Sequence, residues 1–442
     1  MRRTIILAGV IAATSAFPTF ENLARLAQRD ESLSFLTDRS IDELREHLVQ
    51  LKEKRLAFDP LTDPINVSGK YAFKAPDLQN GDLRGPCPGL NALANHGYIP
   101  HDGIVGFLDV LGPANTVYGM SIDLITLLAG VVTAYVGNPA SLHPGFSIGG
   151  VSSKSSNILG NLLGLLGTPR GLIGSHNIIE ADSSPTRNDL YVTGNAYTMN
   201  MTLFEKLAGF AEDGFITMDD LADFAAERFY ESIATNPTFY YGPYSGTIAR
   251  NAGFAFLGRF LSNNTKEYPL GGHLSKEVLS SFFGVYEENG NSVYKEGHER
   301  IPENWYRRTV DYSLVDYNLD LVAWAVKYPV LLSIGGNQGE VNTFAGVDIA
   351  DLTGGVLNAA TLLEGNNLIC FALTALKTFA PNSLSTIVKL IGPPLELVDN
   401  VLTTPLLDLS CPAFTDLTLG GEDLWSALLD RYPGAKQSGI AL

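Results

Sequence analysis

The segment Gly85-Pro86-Cys87-Pro88-Gly89-Leu90-Asn91-Ala92-Leu93-Ala94-Asn95-His96-Gly97 places a thiol where a helix should begin. Pro88 has no N–H to lose and suits the first helical position, and Gly97 suits the left-handed residue beyond the last turn. Cys87 then falls at the N-cap. Its sulfur is expected to face free backbone N–H groups and the positive end of the helix dipole, both of which favour thiolate and lower the pKa. Such a sulfur serves as a soft metal ligand or a nucleophile; the plain alternative is a small buried hydrophobe. A thiol nucleophile needs a histidine base beside it. His96, at the far end of the helix, lies roughly 13 Å away by helical rise. His101 is also close in sequence, but no second Cys or His stands at zinc-ligand spacing.

A second segment, Ser175-His176-Asn177-Ile178-Ile179-Glu180-Ala181-Asp182-Ser183-Ser184-Pro185-Thr186-Arg187-Asn188-Asp189, concentrates oxygen donors. Glu180, Asp182, Ser183, Ser184 and Asp189, with nearby carbonyls, suit a hard cation such as Mg²⁺. A solvated turn that caps a helix is the structural alternative. The spacing is not that of an EF-hand loop.

The elements around these segments read as mostly helical. Ser40-Ile-Asp-Glu43 is a capping box before Ile41, Leu44, Leu48 and Leu51 on one helical face. Thr217-Met-Asp-Asp220 opens another helix carrying Leu221, Phe224, Ala225 and Phe229. Ser275 caps a third, with Val278, Leu279, Phe282 and Phe283. Alternating apolar/polar runs are rare, so the expected class is mainly α. Residues 58–86, 137–175, 284–308 and 334–355 read as loops from their Gly, Pro and polar content. The Gly335-Gly336 pair lacks the strand–helix context and lysine of a phosphate loop. No repeat or clean linker appears, and one helical domain with long loops over residues 17–442 is expected.

The chain has 442 residues, 45% hydrophobic and 17% charged, with 30 Lys+Arg against 47 Asp+Glu and a net charge of −17. This is ample material for a core, and it is not the composition of a disordered chain. The acidic balance excludes a nucleic-acid binder, since no phosphate-neutralising surface is on offer. Met1-Arg2-Arg3, an apolar run from Ile5 to Ala13 and Thr14-Ser15-Ala16 form a secretory signal pattern over residues 1–16, too short to span a bilayer. The run from Val356 to Phe379 is broken by Asn358, Glu364, Asn366, Asn367 and Lys377, so no membrane span is expected. A secreted chain gives meaning to the sequons at Asn66, Asn200 and Asn263. The three cysteines, Cys87, Cys370 and Cys411, leave one unpaired.

Together, the two segments resemble the haem-thiolate peroxidase family of fungi, which includes chloroperoxidase and the unspecific peroxygenases. There a Pro-Cys-Pro motif supplies the axial thiolate to haem iron, which here would be Cys87 on haem b. The continuation Gly89-Leu90-Asn91 through Ala94-Asn95-His96-Gly97-Tyr98-Ile99-Pro100 is also similar. Longer members carry Glu-Gly-Asp, then Ser, Thr-Arg and Asp; this chain reads Glu180-Ala181-Asp182, Ser184, Thr186-Arg187 and Asp189. The resemblance implies that Glu180, the carbonyl of Ala181 and Ser184 bind a Mg²⁺ that bridges to a haem propionate. A carbonyl ligand survives the change from Gly to Ala181. Asn200-Met-Thr202, the run Ser232 to Pro237 and a C-terminal disulfide, Cys370 with Cys411, extend the likeness.

The family's distal Glu, which moves the peroxide proton, has no counterpart in the stretch after Asn236. Counting from Asn236, it falls near Asn251 or Ala252, and its Arg partner near Tyr244 or Ser245. Asn251 has no titratable group, and Arg250 can stabilise charge but is a poor base. His176 matches a family His near the haem edge, or is a structural hydrogen bonder. Phe239, Tyr240, Tyr241 and Tyr244 line a substrate channel or form an aromatic core. The resemblance implies an H₂O₂-using peroxidase or peroxygenase that transfers oxygen to small organic substrates, removes one electron from them, or oxidises halide. Two alternatives stay open: a haem or small-molecule binding protein that has lost the distal Glu, and a haem-free cysteine hydrolase.

Overall fold

The computed structural model describes residues 59–138, 143–155, 168–211, 214–268, 271–379, 411–412 and 417–438. The leader pattern and the helix opening at Ser40 lie outside these residues. The fold is mainly helical, as the sequence patterns predict. Helix α1 spans Pro88–Asn95, α2 Leu111–Tyr118 and α3 Ile122–Val136. Then come α4 Met201–Gly209 and α5 Met218–Thr235. Thr217 and Asp220 close the expected capping box on α5: Asp220 N–H donates to Thr217 Oγ1, and Thr217 N–H to Asp220 Oδ2.

Past α5 the chain forms π-helical turns at Ser245–Arg250, helix α6 at Asn251–Phe256 and further π turns at Leu257–Leu261. Helix α7, Lys276–Phe282, begins under its Ser275 cap; α8 is Leu314–Lys327 and α9 Asn367–Phe379. Helix α3 carries no polar face, and Leu124, Ile125, Leu127, Val131 and Val132 are all buried. A helix apolar on all sides belongs in a core rather than on a surface. One buried cluster links α1, α2, α3 and α5 to α8. Each Leu or Phe fully buried there contributes about 1.5–3 kcal/mol by apolar burial.

Small antiparallel sheets stitch the loops. Strand β1, Ile104–Gly106, pairs with β2, Gly145–Ser147, in the register Val105 opposite Phe146. Strand β3, Tyr240–Tyr241, joins a sheet described below. Residues 284–308, expected as loop, contain a hairpin of β4 Val285–Glu288 and β5 Asn291–Tyr294. Its turn residues Asn289 and Gly290 both take positive φ, 53° and 79°, as a two-residue hairpin turn requires. The Gly-rich stretch from 334 is likewise not all loop: β6 Gly335–Gly336 lies between β3 and β7 Ala345–Gly346. Cys370 and Cys411 form the disulfide that the resemblance implies.

Candidate active site

The Cys87 helix forms as its sequence dictates. Cys87 is the N-cap of α1 in extended backbone, Pro88 holds the first helical position, and Gly97 takes φ +67° past the last turn. Two asparagines one turn apart on α1 secure the loops around the thiol. Asn91 Nδ2 donates to Gly85 O and Glu299 Oε1, both at 2.9 Å, and Asn91 Oδ1 accepts from Gly85 N–H at 3.1 Å. Asn95 Oδ1 accepts from Arg84 Nε and Nη2, while its Nδ2 donates to the carbonyls of Gly297 and Glu299. Gly85 must be glycine, because a Cβ there would stand 2.1 Å from the Ile148 carbonyl oxygen.

Cys87 opens into a cavity of about 310 Å³. Leu90 and Leu93 of α1, Leu128 and Val132 of α3, Phe146 of β2 and Phe256 of α6 make much of its hydrocarbon wall. Polar groups reach the wall from two other places: Glu180, Ala181, Ser184 and Arg187 on the acidic segment, and Arg250 at the end of the π turns.

The expected lowering of the Cys87 pKa does not hold. Burial pushes the thiol up; the N–H groups of Gly89 and Leu90 and the Arg187 guanidinium oppose this, while Glu299 adds to it. The sulfur makes no capping hydrogen bond. Desolvation in the apolar surroundings thus outweighs the helix-end field.

The acidic segment is buried and divides by direction. Glu180, Ala181 and Ser184 face the cavity. Asp182 and Asp189 turn into the protein, where Asn236 Nδ2 donates to both, at 2.8 and 3.0 Å. Neither is free to hold a cation, so the broader donor set shrinks. The turn is buried rather than solvated, but it does cap a helix, with Asp189 at the N-cap of Leu190–Thr193 and Asp182 Oδ1 accepting from Leu190 N–H. Burial, then the neighbouring Asp189, pushes Asp182 well above the usual carboxylate range. Ser183 adopts φ +58°, and Arg250 Nε holds its carbonyl at 3.0 Å and its hydroxyl at 2.9 Å. Arg228 Nε donates to the Ser184 carbonyl at 3.1 Å.

Glu180 Oε2 meets His176 Nδ1 at 2.7 Å, while Glu180 Oε1 and His176 Nε2 are buried without a partner. Burial lowers the His176 pKa, but Glu180 and then Asp182 raise it more, to about 9. His176 is therefore cationic at neutral pH and pairs with Glu180. Among the described residues no group of three His, Cys, Asp or Glu side chains is arranged to hold a metal ion.

Of the two positions counted from Asn236, Ala252 stands on the cavity wall and Asn251 does not. Asn251 is fully buried and faces away from the cavity. Its Oδ1 accepts from Tyr241 OH and Arg250 Nη1, and its Nδ2 donates to the carbonyls of Thr247 and Leu331. Ala249, Arg250, Ala252 and Gly253 form the wall instead. The π turns before α6 set whether Asn251 or Ala252 faces the cavity, and a count from Asn236 alone does not choose between them. Tyr244 and Ser245 are buried outside the cavity wall. Arg250, missed as a wall residue, also donates from Nη2 to Ala225 O at 2.6 Å, and burial pulls its pKa down to about 10.

Phe239, Tyr240, Tyr241 and Tyr244 are buried and none lines the cavity. Phe239 and Tyr241 pack edge-on against Phe229, so they are core rather than channel. No histidine lines the wall. His96 uses Nδ1 on Tyr71 O and Nε2 on Ile301 N–H, and His101 packs against Asp82. A cysteine–histidine hydrolase pair is therefore not assembled among the described residues.

The wall fits a flat apolar macrocycle with carboxylate arms. It offers one thiol, Cys87, a mostly hydrocarbon surface, and a buried guanidinium, Arg187, whose Nε and Nη1 have no protein partner. The pattern of the family described as Peroxidase, family 2 matches residues 71–310. The chain belongs to this family of haem peroxidases, and membership implies a haem cofactor and an oxidoreductase acting on peroxide. The aromatic peroxidase fscJ of Fusarium equiseti is 56% identical over 87% of this chain and 88% of its own length. The dothistromin biosynthesis peroxidase dotB of Dothistroma septosporum is 35% identical over 93% and 94%. An aromatic peroxygenase of Coprinellus radians is 30% identical over 47% of this chain and 76% of its own length.

Proposed function

We propose that this chain uses hydrogen peroxide to oxidise apolar aromatic compounds with a haem that the cavity would hold and to which Cys87 would give its thiolate. The observation that carries the reading is Cys87 itself: it is the free cysteine, at a helix N-cap, opening into a hydrocarbon-walled cavity. When bound, haem supplies peroxide activation, and thiolate ligation favours O–O cleavage. The residues of the chain do the rest. Asn91 and Asn95 brace the Cys87 loop. Glu180 Oε1, the Ala181 carbonyl and the Ser184 hydroxyl are the oxygens that would hold a Mg²⁺ beside the cofactor's carboxylate. Arg250 gives the wall a buried cation that draws peroxide anion or halide and stabilises negative charge on oxygen. The apolar wall excludes water and admits aromatic rings, in keeping with the names of the relatives. The disulfide accords with an exported chain.

A second reading, a haem-binding protein with feeble peroxide turnover, is favoured by one feature: Ala249, Ala252 and Gly253 bring no acid–base group to the wall. Haem-loaded protein, given H₂O₂ and a small aromatic donor, tests both. Turnover well above that of free haem supports the first. Stoichiometric haem binding without turnover supports the second, and well-folded protein that binds no haem contradicts both.

A further inference from the structure

Tyr312 donates from its hydroxyl to Asp320 Oδ2 at 2.5 Å, and Arg259 Nε donates to the same oxygen at 2.8 Å. The Tyr312 ring is buried, edge-on to Phe260 at 5.4 Å and to Phe256 at 6.5 Å between centroids. Both of those rings line the cavity, so one layer of aromatic side chains separates Tyr312 from it. The Tyr312 backbone also bridges to Met120, another wall residue. Tyr118 and Tyr317 donate instead to the carbonyls of Gly89 and Ile248, and a carbonyl cannot take the proton. Tyr328 does meet a carboxylate, Asp223, but no ring contact given for the described residues joins it to the wall. The Arg259 and Arg308 guanidiniums stand 5.8 and 4.9 Å from the Tyr312 centroid. Two cations there disfavour a positively charged ring, so the proton must leave with the electron.

We propose that Tyr312 is a redox-active tyrosine that lets one-electron donors in solution reduce the cavity without entering it. This rests on the peroxidase reading. The Tyr312 O–H bond breaks; its electron crosses the Phe256–Phe260 layer to the peroxide-oxidised cofactor, and its proton passes to Asp320 Oδ2. A phenolic donor outside then returns one electron to the neutral tyrosyl radical. Asp320 returns the proton, and the donor's own proton goes to water. Asp320 and Arg259 are partly exposed, which opens the acceptor side to solvent.

The test is electron paramagnetic resonance on haem-loaded full chain, frozen milliseconds after H₂O₂ without donor, with spin-trap adducts mapped by mass spectrometry. A tyrosyl signal with the adduct on Tyr312 is expected. Tyr312→Phe should abolish that adduct, and Asp320→Asn, which keeps the ring, should lower its yield several-fold. Both variants should slow oxidation of phenolic donors too large for the cavity. If wild type turns over a small aromatic donor but forms no tyrosyl radical, or the adduct maps elsewhere, the relay is overturned while the peroxidase reading stands. Protein that binds no haem overturns both.

Discussion

Asn91 Nδ2 donates to Glu299 Oε1 at 2.9 Å, tying the Cys87 helix to a loop 208 residues further along the chain. The same amide holds Gly85 O, so the loop carrying the thiol is braced from a hairpin-bearing segment distant in sequence. Burial pushes the Glu299 carboxyl up, and the Asn91 bond opposes this. Removing one partner of a buried bond costs about 1–3 kcal/mol. Glu299→Ala should lose that much in denaturant unfolding and weaken haem retention. Glu299→Gln, which can still accept from Asn91, should lose clearly less. Equal losses in the two variants would show that Asn91 is not the element being held.

A carboxylate added at the wall should restore what the family's distal Glu provides. Ala252 lines the cavity and Asn251 does not. Ala252→Glu is expected to raise peroxide turnover at least tenfold, short of the roughly 10²–10⁴-fold that a fully positioned general acid–base contributes. Asn251→Glu should give no gain and should destabilise the fold, because it buries a charge where four hydrogen bonds are now met. Steady-state kinetics with melting curves separates the two positions. A gain from Asn251→Glu alone would contradict the geometry.

His176 sets a pH dependence. Its folded pKa of about 9 lies above the ordinary 6.5, so its contribution to stability is fully present below pH 6.5 and is lost as pH rises through 9. The difference amounts to an upper bound of about 3 kcal/mol. Wild type should therefore lose stability between pH 6.5 and 9 relative to His176→Gln. Parallel stability profiles for the two proteins would show that the Glu180 pairing is not charged.

How much of this was legible in the chain depends on which forces act locally. The N-cap at Cys87, the box at Thr217 and the cap at Ser275 are decided by residues within one turn, and the structure forms all three. Glu180, Ala181 and Ser184 were placed together by their motif and do share the cavity wall. The inward turn of Asp182 and Asp189 depends on Asn236, about fifty residues away, and no local pattern shows it. Helix α3 escaped notice because it is apolar on all sides and has no periodicity to read. The thiol's environment was misjudged because burial is a property of the assembled fold. The sequence count leaves Asn251 and Ala252 open because π turns shift helix phase without a sequence signal; the structure puts Ala252 on the wall.

The sequons should differ in occupancy if the chain is exported. Asn66 is exposed and uses only Oδ1, accepting from Ser68. Asn200 caps α4 through Oδ1 and donates Nδ2 to Asn188 Oδ1 at 2.7 Å, so a glycan on Nδ2 would have to share that nitrogen with the bond. Peptide mass spectrometry of secreted protein should find glycan at Asn66 and none at Asn200. Occupied Asn200 would mean that this cap is not kept in the mature protein.

The central claim is thiolate ligation of haem by Cys87. The most direct measurement is the reduced carbon-monoxide difference spectrum of haem-loaded wild type and Cys87→Ala. A strongly red-shifted Soret band in wild type, absent from a folded Cys87→Ala protein, is the expected result. A Soret band at the ordinary position in wild type, or a red-shifted band that survives Cys87→Ala, would contradict it.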